Sequence, residues 1–91
     1  MRNTFKNITA SGTVIPGEGV LMSMYVNSTN SSTMVLYHNI TEASNSGVVI
    51  GGTITPGIGY HNLGGIYATA GVYCSITGEA LDITFHILES E

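Results

Sequence analysis

The sequence predicts an all-β fold, an antiparallel β-sandwich of jelly-roll-like or Ig-like type with about eight short strands. Three observations carry that expectation. Val, Ile, Thr and Tyr are plentiful while Lys, Arg, Glu and Gln are scarce, a balance that favours strands over helices. Apolar and polar residues alternate with period two in one segment after another, and no stretch repeats with the helical period. Clusters of Gly, Pro, Asn and Ser punctuate the chain at intervals near ten residues, the spacing of short strands joined by turns.

Taken in order, Phe5 to Thr9 reads as a weak first strand and Thr13 to Ile15 as a short one that stops at Pro16. Val20 to Val26 is longer, with Val20, Met22, Met24 and Val26 on one face and Leu21, Ser23 and Tyr25 on the other. A polar loop over 27–32 leads to Thr33 to His38, expected to return as its hairpin partner. After a second polar loop over 40–47, Val48 to Thr55 forms a strand thinned by Gly51-Gly52. Tyr60 to Leu63 and Ile66 to Thr69 read as two pieces broken by Gly64-Gly65. Val72 to Thr77 and Leu81 to Ile87 are expected to close the chain as a hairpin across 78–80. In the last strand Leu81, Ile83, Phe85 and Ile87 alternate with Asp82, Thr84 and His86, the cleanest inside-outside pattern present. Residues 11–91 are thus expected to form a single β-sandwich domain, preceded by an N-terminal arm over 1–10.

One phrase occurs twice: G-T-V-I-P-G-E-G from Gly12 and G-T-I-T-P-G-I-G from Gly52, together holding both prolines of the chain. Pro sets φ for the second position of a turn and Gly supplies positive φ at the third, so Pro16-Gly17 and Pro56-Gly57 are expected as type II turns. Two readings stand: two similar halves turning equivalent corners, or the same turn chemistry used twice by chance. Neither phrase cradles phosphate, because no Lys and no helix follow the glycines.

Composition excludes several functions. Six acids and two bases give a formal net charge of −4, and both bases, Arg2 and Lys6, lie at the start of the chain, so there is no basic surface for nucleic acid. No run approaches a membrane span and the first residues lack the apolar core of a signal peptide, so no membrane partner and synthesis in a cytoplasm are expected. His38, His61 and His86 share no metal-site spacing with Cys74, Glu42 or Asp82, and Asp82 and His86 on one strand stand about 13 Å apart. They are read as exposed strand residues. Cys74 is read as a buried structural thiol beside Val72 and Ile76. No nucleophile elbow or paired carboxylates appear, so no catalytic residue, metal or cofactor is expected. The N-x-[ST] triplets at Asn7, Asn27, Asn30 and Asn39 follow from a composition rich in Asn, Ser and Thr.

Both faces of Val20–Val26 and Thr33–His38 carry large apolar groups, although a two-layer sandwich buries one face of each sheet. Only 9% of residues are charged, and interface cores are depleted in charge. Leu21, Tyr25, Val35 and Tyr37 are accordingly expected at contacts between subunits, with Arg2 and Lys6 on the arm meeting an acidic groove of a partner.

The runs G-V-L-M-S-M-Y-V-N-S-T-N-S-S-T-M-V-L-Y-H-N and G-T-I-T-P-G-I-G-Y-H-N-L-G-G-I-Y-A-T-A-G-V-Y-C-S-I-T-G-E-A-L-D-I-T-F-H-I resemble small virion proteins of tailed bacteriophages, of the head decoration, cement or head-fibre-base type. The resemblance covers Gly19 to Ile87 and rests on strand and turn punctuation. It departs from the family at Glu79-Ala80-Leu81-Asp82, one residue longer than the simpler G-x-A-D form, which bears on the register of the last strand. It implies a compact, non-enzymatic β-sandwich, a homotrimer docked on the major capsid protein or another virion protein at the phage head surface. The alternative is a carbohydrate-binding or adhesin module of a tail or head fibre, with Tyr60, His61, Asn62 and Tyr67 as its sugar-stacking surface.

Overall fold

A computed structural model describes residues 2–29, 32–38, 48–78 and 81–89. Eight strands account for most of them: β1 (Arg2–Ile8), β2 (Gly12–Ile15), β3 (Gly19–Thr29), β4 (Thr33–His38), β5 (Val48–Ile54), β6 (Gly59–Ala68), β7 (Val72–Thr77) and β8 (Leu81–Glu89). They form two four-stranded antiparallel sheets, β1-β8-β3-β6 and β2-β7-β4-β5. The pairings β1 with β8, β2 with β7, β3 with β6 and β4 with β5 are those of one long hairpin rolled into two layers. This is the jelly roll, and it selects between the two sandwich types the composition allowed.

The core lies between the layers. Leu81, Ile83, Phe85 and Ile87 of β8 point inward, as the alternation predicts, and meet Val14, Ile15, Met34, Leu36, Val72 and Cys74 from the opposite sheet. Each large side chain buried this way contributes about 1.5–3 kcal/mol of transfer free energy.

Only β4 and β5 are neighbours both in sequence and in a sheet. The expected hairpins of the third strand with the fourth and of the seventh with the eighth are therefore corrected: β3 pairs with β6 and β8, and β7 with β2 and β4. The connections between them step from one sheet to the other. The same step explains the repeated phrase. Pro16 follows β2 and leads to β3, and Pro56 follows β5 and leads to β6, so both copies carry the chain from the second sheet into the first. A crossing of about 10 Å between layers does not fit a tight turn whose ends lie within about 7 Å. Accordingly neither Gly17 nor Gly57 takes a positive φ, and the expected type II turns are replaced by open corners. The constrained glycines lie at the ends of the phrases: Gly52 opens the second with φ 85°, and the final glycine of each is constrained as well. Gly59 has φ 123°, while a Cβ on Gly19 would lie 2.6 Å from the Leu88 carbonyl oxygen and 2.9 Å from Ile15 Cγ2.

Two further departures matter for function. A β-bulge between Leu21 and Ser23 shifts the parity of β3, so Leu21 joins Met24 and Val26 in the core and is 0% exposed. Leu21 is thus a core residue and not a subunit contact. The N-terminal segment does not stand apart as an arm either. Arg2–Ile8 is hydrogen-bonded along β8 as an edge strand, with the expected break at Gly64-Gly65 likewise absorbed as an irregularity within one continuous β6.

Candidate functional site

The register of β1 is set by its pairing with β8. Lys6 sits opposite Phe85 and Ile8 opposite Ile83, both core residues, so Asn3, Phe5 and Asn7 face outward with Leu88, His86 and Thr84. The consequence inverts simple amphipathicity: Lys6 stands on the core side of an exposed edge, and Phe5 is 69% exposed. An inward charge on an edge strand discourages further strands from adding there. The outward Phe5 needs another explanation.

On the outer face of β1-β8-β3-β6, side chains line up in rows across the strands. Phe5, His86, Ser23 and Asn62 form one row, and Asn7, Thr84, Tyr25 and Tyr60 the next. Phe5 and His86 stack with ring centroids 5.1 Å apart, and Tyr25 and Tyr60 pack at 5.3 Å with a tilt of 59°. Tyr25 and Tyr60 are each 56% exposed. The short side chains of Ser23 and Thr84 between the two aromatic pairs leave a concavity of about 430 Å³, with Asn27 on its border.

The polar groups beside it hold one another in place. Asp82 Oδ1 accepts from Asn7 Nδ2 at 2.8 Å and from Asn27 Nδ2 at 3.2 Å. The same two amides reach Thr84 Oγ1 at 3.1 and 3.3 Å. Three strands are thereby tied by one carboxylate and one hydroxyl. His86 Nε2 lies 3.0 Å from Asn3 Oδ1, which fixes the ring that stacks on Phe5.

The residues expected at subunit contacts do not form one surface. Tyr25 lies on this face, whereas Val35 and Tyr37 are half-buried on the outer side of the other sheet, in register with Ser75 and Tyr73. Arg2 is engaged with Glu89 at 2.9 Å across the β1–β8 ladder. The expected sugar surface also separates. Tyr60 and Asn62 share the outer face, but Asn62 Oδ1 accepts from the Gly64 amide at 2.8 Å and so shapes the irregular turn of β6. His61 is in register with core-facing Met24 and bonds the Gly57 carbonyl at 2.8 Å. Tyr67 donates to the Glu18 carboxylate, a bond that raises the phenol above its ordinary 10.0.

His38 Nε2 accepts from the backbone N–H of Thr69 at 3.0 Å and of Ala70 at 2.9 Å, so the three imidazoles each have their own local partners. Among the described residues no group of three or more His, Cys, Asp and Glu converges as a metal site. Cys74 is fully buried, and burial pushes its thiol from 9.0 up to about 12. Of the N-x-[ST] triplets, Asn7 and Asn27 are held by Asp82, and Asn30 and Asn39 lie outside the described residues.

Sequence reasoning missed Phe5, Asn7, Asn27 and Thr84 as members of one site. The alternation of β8 already places Asp82, Thr84 and His86 outward together, but only the β1–β8 and β3–β8 registers bring the others beside them. No family model matches the chain, and neither a curated protein nor a solved structure matches it.

Proposed function

We propose that the chain is a non-enzymatic structural subunit of a tailed-bacteriophage particle, a capsid decoration or cement protein that docks on the head lattice as a homo-oligomer. The distribution of charge supports this reading. Every charged side chain among the described residues lies on β1, on β8 or at the β2–β3 corner: Arg2, Lys6, Glu18, Asp82 and Glu89. At the far end of both sheets the edge strands β5 and β6 carry no charge at all, and Ile58 in the corner joining them is 71% exposed. Edge strands of soluble monomers are usually guarded by charge, proline or shortness, as Lys6 guards β1 and Pro16 ends the four-residue β2. A flank of two long edges that carry no charge suits a subunit whose neighbours cover it. Linked copies then multiply a modest contact into firm attachment to a repeating shell.

Mass spectrometry of purified virions, with light scattering of the isolated protein, tests this. The protein is expected in the particle and as an oligomer in solution, and Ile58→Lys is expected to lower both the mass and the virion occupancy. Absence from virions together with a monomeric mass refutes the reading.

A further inference from the structure

We infer that the outer face of β1-β8-β3-β6 binds a neutral oligosaccharide, seated between the Phe5–His86 and Tyr25–Tyr60 pairs. This inference goes beyond the assembly role and uses a different part of the surface, since β5, Ile58 and the free edge of β6 are left to neighbours.

The chemistry of the face selects the ligand. A pyranose presents C–H groups on its ring faces and hydroxyls around its rim, so its receptors combine exposed aromatic rings with planar polar side chains held in fixed positions. Both are present here. The two aromatic pairs stand diagonally across adjacent rows, on β1 and β8 and on β3 and β6. Three strand spacings separate the outermost of them, or about 14 Å, which suits a short chain of sugar rings better than a single one. The low floor of Ser23 and Thr84 admits a ring between them, and the concavity of about 430 Å³ falls in the ordinary range of small-molecule sites. Asn27 is pre-set by Asp82 and Thr84, so its orientation needs no ordering when a hydroxyl arrives.

Other ligands fit less well. An anion would meet the Asp82 carboxylate without a cation beside it, because Lys6 is on the opposite side of β1 and Arg2 is paired with Glu89. A second copy of the chain laid on this face would have to cover the hydrogen-bonded Asp82, Asn7 and Asn27 cluster, whereas a sugar offers those groups hydroxyls. The tyrosines and histidine likewise carry polar tips, unlike the aliphatic groups that line a dry contact.

Tyrosine fluorescence reports directly on the site, since the chain has five tyrosines and no tryptophan. The protein is titrated with cellohexaose, maltohexaose, mannohexaose and chitohexaose, with polygalacturonate hexamer as the charged comparison, and amide shifts are followed by NMR. At least one neutral probe is expected to shift Tyr25, Tyr60 and His86, and to bind tenfold or more tightly than the charged one. Tyr60→Ala, Phe5→Ala and Asn27→Ala should each weaken binding at least tenfold, while Tyr67→Ala, outside the concavity, changes it less than twofold. All four side chains are exposed, so an unchanged melting curve checks that folding is retained. Virion occupancy and solution mass should be unaffected by Tyr60→Ala, which separates this inference from the assembly role tested with Ile58→Lys. The inference is overturned if no neutral probe moves these resonances, if binding survives Tyr60→Ala, if the anionic probe binds as well, or if Tyr60→Ala lowers the solution mass and so reveals a second copy on this face.

Discussion

Replacing Gly17, Gly19, Gly57 and Gly59 of the repeated phrase one at a time separates shape from chance, because these four chemically identical changes should have three different outcomes. In Gly19→Ala the new methyl would lie 2.6 Å from the Leu88 carbonyl oxygen and 2.9 Å from Ile15 Cγ2. The first of these atoms belongs to the backbone of β8, paired with β3 along its length, so it cannot swing aside as a side-chain tip would. Overpacking of this kind costs about 1–3 kcal/mol, and a rigid carbonyl places the expected loss at the upper end, about 2–3 kcal/mol. For a domain of this size that is a fall in Tm of about 10–20 °C. In Gly59→Ala no atom lies within 4 Å, but φ is 123°, so only backbone strain of about 1–3 kcal/mol opposes the change. Gly17→Ala and Gly57→Ala meet neither obstacle, and the reduced freedom of the unfolded chain should make them neutral or stabilising by up to about 1 kcal/mol. Urea unfolding at 25 °C, followed by circular dichroism, measures all four. If Gly17→Ala or Gly57→Ala costs as much as Gly19→Ala, the open corners described above are wrong and tight turns with left-handed glycines must take their place.

The bulge in β3 predicts that Leu21→Ala loses about 2–5 kcal/mol through its cavity while Tyr25→Ala, four residues on, changes stability by no more than about 0.5 kcal/mol; equal losses in denaturant unfolding would mean the parity shift is absent. His38→Ala removes the acceptor for the Thr69 and Ala70 amides and should cost about 1 kcal/mol, with faster hydrogen exchange at those two amides, and unchanged exchange would show that the bonds do not form. The Cys74 thiol is protonated in both states below pH 9; between pH 9 and about 12 the unfolded chain ionises first, so stability should fall by about 1.4 kcal/mol per pH unit in that window. Cys74→Ala should flatten the alkaline slope, and an unchanged slope would refute the attribution. Labelling of Cys74 by a thiol reagent at neutral pH should proceed only as fast as the chain opens, and rapid labelling of the folded protein would contradict its burial.

How far the site could be read in advance differs along the chain. In β8 nothing interrupts the alternation, and its outward set of Asp82, Thr84 and His86 is as legible in the sequence as in the fold. In β3 the same reasoning fails after Leu21, because a bulge changes parity without changing composition. Phe5 fails for another reason. A seven-residue strand with Phe5 and Ile8 on opposite faces has no preferred inside until a partner strand fixes its register.

Local composition and periodicity determined that this chain would be all strand, where most strands begin and end, and that the prolines would mark corners, because those properties depend on residues near one another. Which strands pair, and therefore which side chains share a face, was decided only in the folded molecule. In a jelly roll β1 meets β8 across most of the chain and β3 meets β6 across the two strands between them, and partners that distant leave no mark on the residues beside them.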